Sequence, residues 1–95
     1  MNARTVPVAK LRLGRIVSTP RALEALTQDD ILMGIQRHQA GDWGDLQNED
    51  LVANDQALIG RTRILSAYTA ARGTKFWIMT EADRSATTVL LPEEY

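Results

Sequence analysis

The sequence predicts a single small α+β domain, and three observations support this prediction. Residues 8–17 alternate between apolar and cationic side chains in their middle, as a half-buried strand does. Residues 19–60 carry repeated helix-start signals. Residues 64–91 hold three runs of strand-forming residues separated by turns. We therefore expect an N-terminal strand, two or three short helices and a three-stranded antiparallel meander, with the helices packed on one sheet face.

Length and composition limit what this domain can be. With 95 residues, 44% of them hydrophobic and 24% charged, the chain is long enough for one core and too short for two. All 95 residues are assigned to that domain, with residues 1–7 expected to be flexible. The absence of cysteine excludes disulfides and thiolate chemistry. No apolar run is long enough for a membrane span or a secretory signal, so a cytoplasmic protein without membrane contact is expected.

The first strand is expected to have two different faces. Leu11 and Leu13 would point into the core, opposite Lys10 and Arg12. Gly14 would weaken this strand or add a bulge to it.

Capping residues divide the middle of the chain into helices. Thr19 is a candidate N-cap with Pro20 at the first helical position, and Thr27 restarts the pattern with acidic residues in the first turn. Gly41 fits the end of the second helix. The expected apolar positions of that helix are Ile31, Leu32 and Ile35. A third helix would be capped by Asn48, closed by Gly60, and apolar at Leu51, Val52, Leu58 and Ile59.

The segment from Lys75 to Leu91 is expected to form the centre of the sheet. Trp77 and Met79 would share one face of a strand, and Phe76 and Ile78 the other. Since both faces are apolar, this strand is either central in the sheet or in contact with a partner.

Two short segments contain the residues that we predict to bind a partner. Trp43 lies in a turn between two glycines, where it either packs against the fold or is displayed. The loop after the Phe76–Met79 strand carries Glu81, Asp83 and Arg84, which together suit a phosphate, a base edge or a charged side chain of a partner. The alternative for this loop is a solvated turn in which Asp83 and Ser85 bond backbone amides and Arg84 pairs with Glu81.

Basic residues support a second hypothesis. Although the net charge is −1, cations cluster before residue 24 and again between residues 61 and 75. If the first strand neighbours the C-terminal sheet, these cations form a basic face that would bind nucleic acid. The candidates are Lys10, Arg12, Arg15, Arg61 and Arg63.

Motifs for catalysis, cofactors or metal ions are lacking in the sequence. His38 is the only histidine, and it is interpreted as a structural residue whose positive charge would suit a helix C-terminus. Asp42 and Asp45 match no calcium-loop spacing. We expect a protein that is not an enzyme and needs no cofactor. An enzyme using Glu81, Asp83 and Arg84 would need a concave pocket at the last hairpin.

Three motifs resemble a family of short bacterial proteins encoded on plasmids and integrative elements. They are GDWG (residues 41–44), ANDQAL (residues 53–58) and TEADRSATTVLLPEEY (residues 80–95). Some members carry a type I restriction label, which no residue here supports as a catalytic assignment. The resemblance implies an accessory protein of mobile DNA and supplies no activity or site residue. The leading hypothesis is a non-enzymatic module that binds a protein partner or itself, with modulation of a host defence or restriction system as one role.

Overall fold

A four-stranded sheet and three α-helices form the computed structural model, which describes residues 11–95. The elements in chain order are β1 (Arg15–Ser18), α1 (Pro20–Ala25), α2 (Gln28–Gln39), α3 (Asn48–Gly60), β2 (Ile64–Thr69), β3 (Lys75–Thr80), β4 (Ala86–Leu90) and a 3-10 turn (Pro92–Glu94). The predicted fold class and the order of elements are confirmed. No helix in residues 11–95 has the length and apolar character needed to cross a membrane.

The sheet is mixed, with the strand order β1-β4-β3-β2. Strands β2, β3 and β4 form the expected antiparallel meander, and β1 pairs in parallel with β4 at the far edge. The apolar strand β3 is central, as one of the two predicted alternatives requires.

The first strand begins later than predicted. Residues 1–7 and the strand positions 8–10 lie outside the described part of the chain. Leu11 and Leu13 are buried, yet they precede the strand, which starts only after Gly14. Gly14 has φ +62°, and a Cβ there would lie 2.3 Å from the carbonyl oxygen of Ser85. This close approach turns the chain at Gly14 and delays β1 to Arg15.

The predicted caps of the first two helices are confirmed. The Thr19 hydroxyl accepts a hydrogen bond from the amide of Ala22 at 3.1 Å, with Pro20 at the first helical position. Thr27 and Asp30 exchange side-chain to backbone bonds of 3.0 Å each, a complete capping box. The bond from the Thr27 amide is the main reason that the pKa of Asp30 lies below its usual value.

Both ends of α3 differ from the prediction by one residue. Gln47 is the N-cap and Asn48 the first helical residue. Gly60 is still helical, and Arg61 takes the left-handed conformation at φ 58° that usually selects glycine.

The three helices cover one face of the sheet, which we call the inner face. On it the side chains of β2, β3 and β4 are fully buried, among them Tyr68, Phe76 and Ile78. Gly34 of α2 packs so closely that a Cβ there would lie 2.7 Å from the Phe76 ring. Three residues predicted to lie on buried helix faces are instead exposed, because α2 and α3 contact the sheet through neighbouring positions. They are Leu32, Val52 and Ile59.

A chain of buried polar side chains crosses this core. Thr87 Oγ1 donates to the carbonyl of Leu13 at 2.7 Å, so Thr80, whose Oγ1 lies 2.7 Å from Thr87 Oγ1, must donate to Thr87. Thr80 Oγ1 then accepts from His38 Nε2 at 2.8 Å, and Ser66 Oγ donates to His38 Nδ1 at 2.5 Å. The chain therefore fixes the tautomer of His38 and joins α2 to β2, β3 and β4.

His38 is neutral in this setting. Burial lowers its pKa to about 3, and the positive charge of Arg84 acts in the same direction. The structural interpretation of His38 agrees with this position. The suggestion that a positive charge on His38 suits the helix C-terminus is wrong, because the buried ring carries no charge at neutral pH.

Candidate interaction surface

The face of the sheet opposite the helices, which we call the outer face, has an apolar centre. Strand register aligns its side chains in rows that cross the strands. One row contains Val17, Thr88, Met79 and Leu65. The next row contains Leu90, Trp77 and Ala67. Leu90 is buried, whereas Trp77, Met79 and Leu65 are partly exposed and Val17 is 39% exposed. Since the described helices pack on the inner face, these two rows face outwards.

A charged row borders the apolar centre on one side. It begins at Arg15 of β1, passes Ala86 and Glu81, and ends at Arg63, which directly precedes β2. Arg63 Nη2 lies 3.3 Å from Glu81 Oε1. Three strand spacings separate the two arginines, so their backbones are about 14 Å apart. The row therefore alternates in sign and does not form a continuous positive strip.

The C-terminal residues cover part of the apolar centre. The Tyr95 ring packs edge-on against Trp77 with centroids 5.3 Å apart, and its hydroxyl lies 3.4 Å from Arg63 Nη1. Glu94 holds this segment in place by accepting 2.8 Å bonds from the Leu91 amide and the Thr19 hydroxyl. The first of these bonds is the main cause of the lowered pKa of Glu94. Tyr95 therefore lies over the part of the outer face between Trp77 and Arg63.

A small cavity extends the outer face beyond β2. It has a volume of about 150 Å³ and lies between Leu65 and the N-terminal half of α3. Leu46, Ala53 and Leu65 line it with apolar groups, and Asp50 and Asn54 add polar ones. Asn54 already bonds both the amide and the carbonyl of Leu65, whereas Asp50 is exposed. The cavity is large enough for one apolar side chain of a bound protein.

Trp43 belongs to the core and is not on the outer face. Its side chain is completely buried, its Nε1 donates to Asp55 Oδ1 at 2.9 Å, and its ring packs edge-on against His38. The backbone around Trp43 forms two hydrogen bonds with Ala67 of β2. The Ala67 amide donates to the Trp43 carbonyl, and the Asp45 amide donates to the Ala67 carbonyl. Of the two predicted alternatives, Trp43 therefore packs against the fold. The prediction that it contacts a partner is wrong, because its side chain is not at the surface.

Arg84 is also a structural residue. Its guanidinium donates to the carbonyls of Ala57 at 2.8 Å and Thr62 at 2.7 Å, and to two carbonyls of its own loop. Burial lowers its pKa. Because Arg84 ties the last hairpin to the C-terminal end of α3, it cannot face a partner or a substrate together with Glu81 and Asp83. The predicted contact role of Arg84 is wrong for this reason.

The other two residues of that loop lie at the surface. Glu81 pairs with Arg63 and not with Arg84, which differs from the solvated-turn alternative. Asp83 Oδ1 accepts from the Ser85 amide at 3.0 Å, as that alternative requires, and the Ser85 bonds lower the Asp83 pKa. Only Glu81 of this predicted group reaches the outer face.

Among residues 11–95, the predicted nucleic-acid contacts do not lie together in one row of the sheet. Lys10 lies outside the described residues. Arg12 and Arg61 are exposed outside the strands, and Arg15 and Arg63 lie at opposite ends of the charged row with Glu81 between them.

Several outer-face residues were missed by sequence reasoning. The alternation in β3 indicates that Trp77 and Met79 share a face, but nothing local shows that Val17 and Leu65 complete the same row. That alignment depends on pairings between segments far apart in the chain. Comparison of the chain with models of protein families, with curated proteins and with solved structures yields no match.

Proposed function

We propose that this protein is a non-enzymatic module that binds another protein through the outer face. The observation that carries the proposal is the pair of apolar rows that includes Trp77, Met79 and Leu65, on the sheet face opposite the helices. Apolar residues that form a connected surface commonly mark a protein contact, whereas scattered ones do not. The adjacent cavity and the edge-on ring of Tyr95 add the relief that an interface uses for shape complementarity.

The charged row favours a protein over nucleic acid as the partner. Arg15, Glu81 and Arg63 present both signs of charge within one row, and a folded protein can match both. A nucleic-acid backbone offers only negative charge, so Glu81 would oppose it. The expected partner surface is apolar at its centre and carries charges of both signs at its rim.

The biological setting of the proposal rests on the motif resemblance alone. It supports an accessory protein of bacterial mobile DNA. We propose that this protein acts in the cytoplasm and that its target is a host defence or restriction system. The large core side chains and Arg84 serve the fold, which leaves the outer face for this role.

Replacing Met79 with lysine is expected to abolish partner binding without unfolding the domain. The lysine stem can lie along the sheet with its ammonium in water near Glu81, so the cost to stability is small. The new charge would lie within the apolar row that the partner covers. The measurement is capture of host proteins by the immobilised domain, with circular dichroism as the check on folding.

Leu32→Lys is the matched control for this experiment. Leu32 lies on α2 and is 54% exposed, so it offers more apolar surface than Met79 but on the other side of the molecule. A protein retained by the natural sequence and by Leu32→Lys, but lost with Met79→Lys, is the expected result. Equal retention by both variants would refute the assignment of the outer face.

A further inference from the structure

We infer that a second copy of this chain pairs with β1 along the edge that no strand of residues 11–95 occupies, so that two sheets join into one of eight strands. This inference goes beyond the proposed function and does not depend on it, because the outer face could bind a partner in a monomer or in a dimer.

The two edges of the sheet differ in how they end. At β2, the side chain of Asn54 forms hydrogen bonds with the backbone amide and carbonyl of Leu65. The backbone of residues 43–45 forms hydrogen bonds with the backbone amide and carbonyl of Ala67. These contacts close that edge to another strand. At β1, the bonds Arg15 N to Ser85 O and Thr19 N to Val89 O show that the odd-numbered residues face β4.

The even-numbered residues of β1 therefore direct their backbone groups away from the sheet. These residues are Ile16 and Ser18, and each presents one amide and one carbonyl at the edge. Ile16 on the inner face and Val17 on the outer face are 47% and 39% exposed. An edge of this kind, with exposed β-branched side chains, is a template for another strand.

An antiparallel copy of β1 satisfies this edge when a twofold axis passes beside Val17. Ile16 of each copy then faces Ser18 of the other, and the two pairs exchange four backbone hydrogen bonds. Val17 meets its own counterpart as a non-hydrogen-bonded pair, in which side chains approach most closely.

Charge and side-chain pattern fit the same arrangement. Arg15 would face Thr19 of the other copy, and the two Arg15 residues would be about 13 Å apart along the strands, so like charges do not meet. The row that ends at Val17 would continue from Leu65 of one copy to Leu65 of the other, with Thr88 of each copy as its polar member. Because β1 has only four residues, the pairing buries less surface area than a standard interface. The dimer is therefore expected to form reversibly, to an extent that depends on protein concentration.

Charge-swapped variants of Val17 provide the test. Sedimentation velocity of the natural protein over a hundred-fold concentration range should show a monomer–dimer equilibrium. Val17→Glu and Val17→Lys should each be monomeric, because like charges would meet at the axis, and an equimolar mixture of the two should dimerise. Leu32→Glu and Leu32→Lys are matched controls that should leave the natural equilibrium unchanged.

A measurement without substitutions covers the case in which a variant does not fold. In concentrated natural protein, hydrogen exchange at the Ile16 and Ser18 amides should be slower than in dilute protein. Any one of four results would overturn the inference. The natural protein could stay monomeric, or a dimer could persist with either charge at Val17. The mixture of the two variants could stay monomeric, or hydrogen exchange could be independent of protein concentration. Such a result would leave the outer face proposal standing, since the Met79→Lys experiment tests it separately.

Discussion

Replacing Gly44 with alanine is expected to destabilise the fold by about 3 kcal/mol or more, which is a large part of the stability of a small domain. A Cβ at Gly44 would lie 1.9 Å from the carbonyl oxygen of Ala67 and 2.7 Å from the Tyr68 ring. The chain would have to move away from β2 and lose the two backbone bonds between Ala67 and residues 43 and 45. Urea unfolding, followed by the combined fluorescence of Trp43 and Trp77, measures the effect.

Gly73→Ala is the matched control for the close approach at Gly44. Both glycines have positive φ, 79° and 93°, but a Cβ at Gly73 would meet nothing within 4 Å. The control therefore carries only the backbone strain of a left-handed alanine, on the order of 1 kcal/mol. Equal losses in the two variants would show that the contact with Ala67 does not matter. An insoluble Gly44→Ala beside a folded Gly73→Ala would agree with the prediction.

Replacing His38 with glutamine is expected to remove most of the dependence of stability on pH between 6.5 and about 4.5. His38 has a pKa of about 3 in the folded protein and 6.5 as its ordinary value, so the unfolded chain takes up a proton first as pH falls. The contribution of neutral His38 to the free energy of unfolding has its full value above pH 6.5. It is lost progressively towards pH 3, at about 1.4 kcal/mol per pH unit.

Glutamine retains a donor for Thr80 and frees Ser66 to donate to the carbonyl of Ile78, which lies 3.4 Å away. We therefore expect His38→Gln to cost about 1–2 kcal/mol at pH 7 and His38→Ala about 3 kcal/mol, since alanine leaves buried hydroxyls and a cavity. Urea unfolding at several pH values separates these effects. The chain has one histidine, so a slope that is unchanged in His38→Gln would contradict the account. Below about pH 4.5 the carboxylates contribute as well.

Local signals in the sequence predict the elements well because capping depends on neighbours in the chain. Thr19 with Pro20, and Thr27 with Asp30, act within four residues, and the structure confirms them. The predicted C-terminal end of α3 is less accurate, for a physical reason. The Ala57 carbonyl accepts bonds both from the Arg61 amide and from Arg84, a residue remote in sequence, and Arg61 rather than a glycine takes the left-handed conformation.

The errors at the candidate site have one common cause. Whether a polar or aromatic residue is buried depends on long-range packing that composition and periodicity do not encode. Arg84 has the same local pattern whether it faces water or the carbonyls at the end of α3, and Trp43 between glycines is equally open to either outcome. The two-sided apolar character of β3 is local and was predicted. Its continuation into Leu65 and Val17 required the register of the sheet.

Photo-crosslinking from the outer face tests the central claim most directly. A photoreactive phenylalanine derivative at Trp77, in protein produced in the host cell, should form a covalent adduct with another protein that disappears when Met79→Lys is added. The same derivative at Leu32, on the other side of the molecule, should form no such adduct. An adduct from position 32 and none from position 77 would contradict the account.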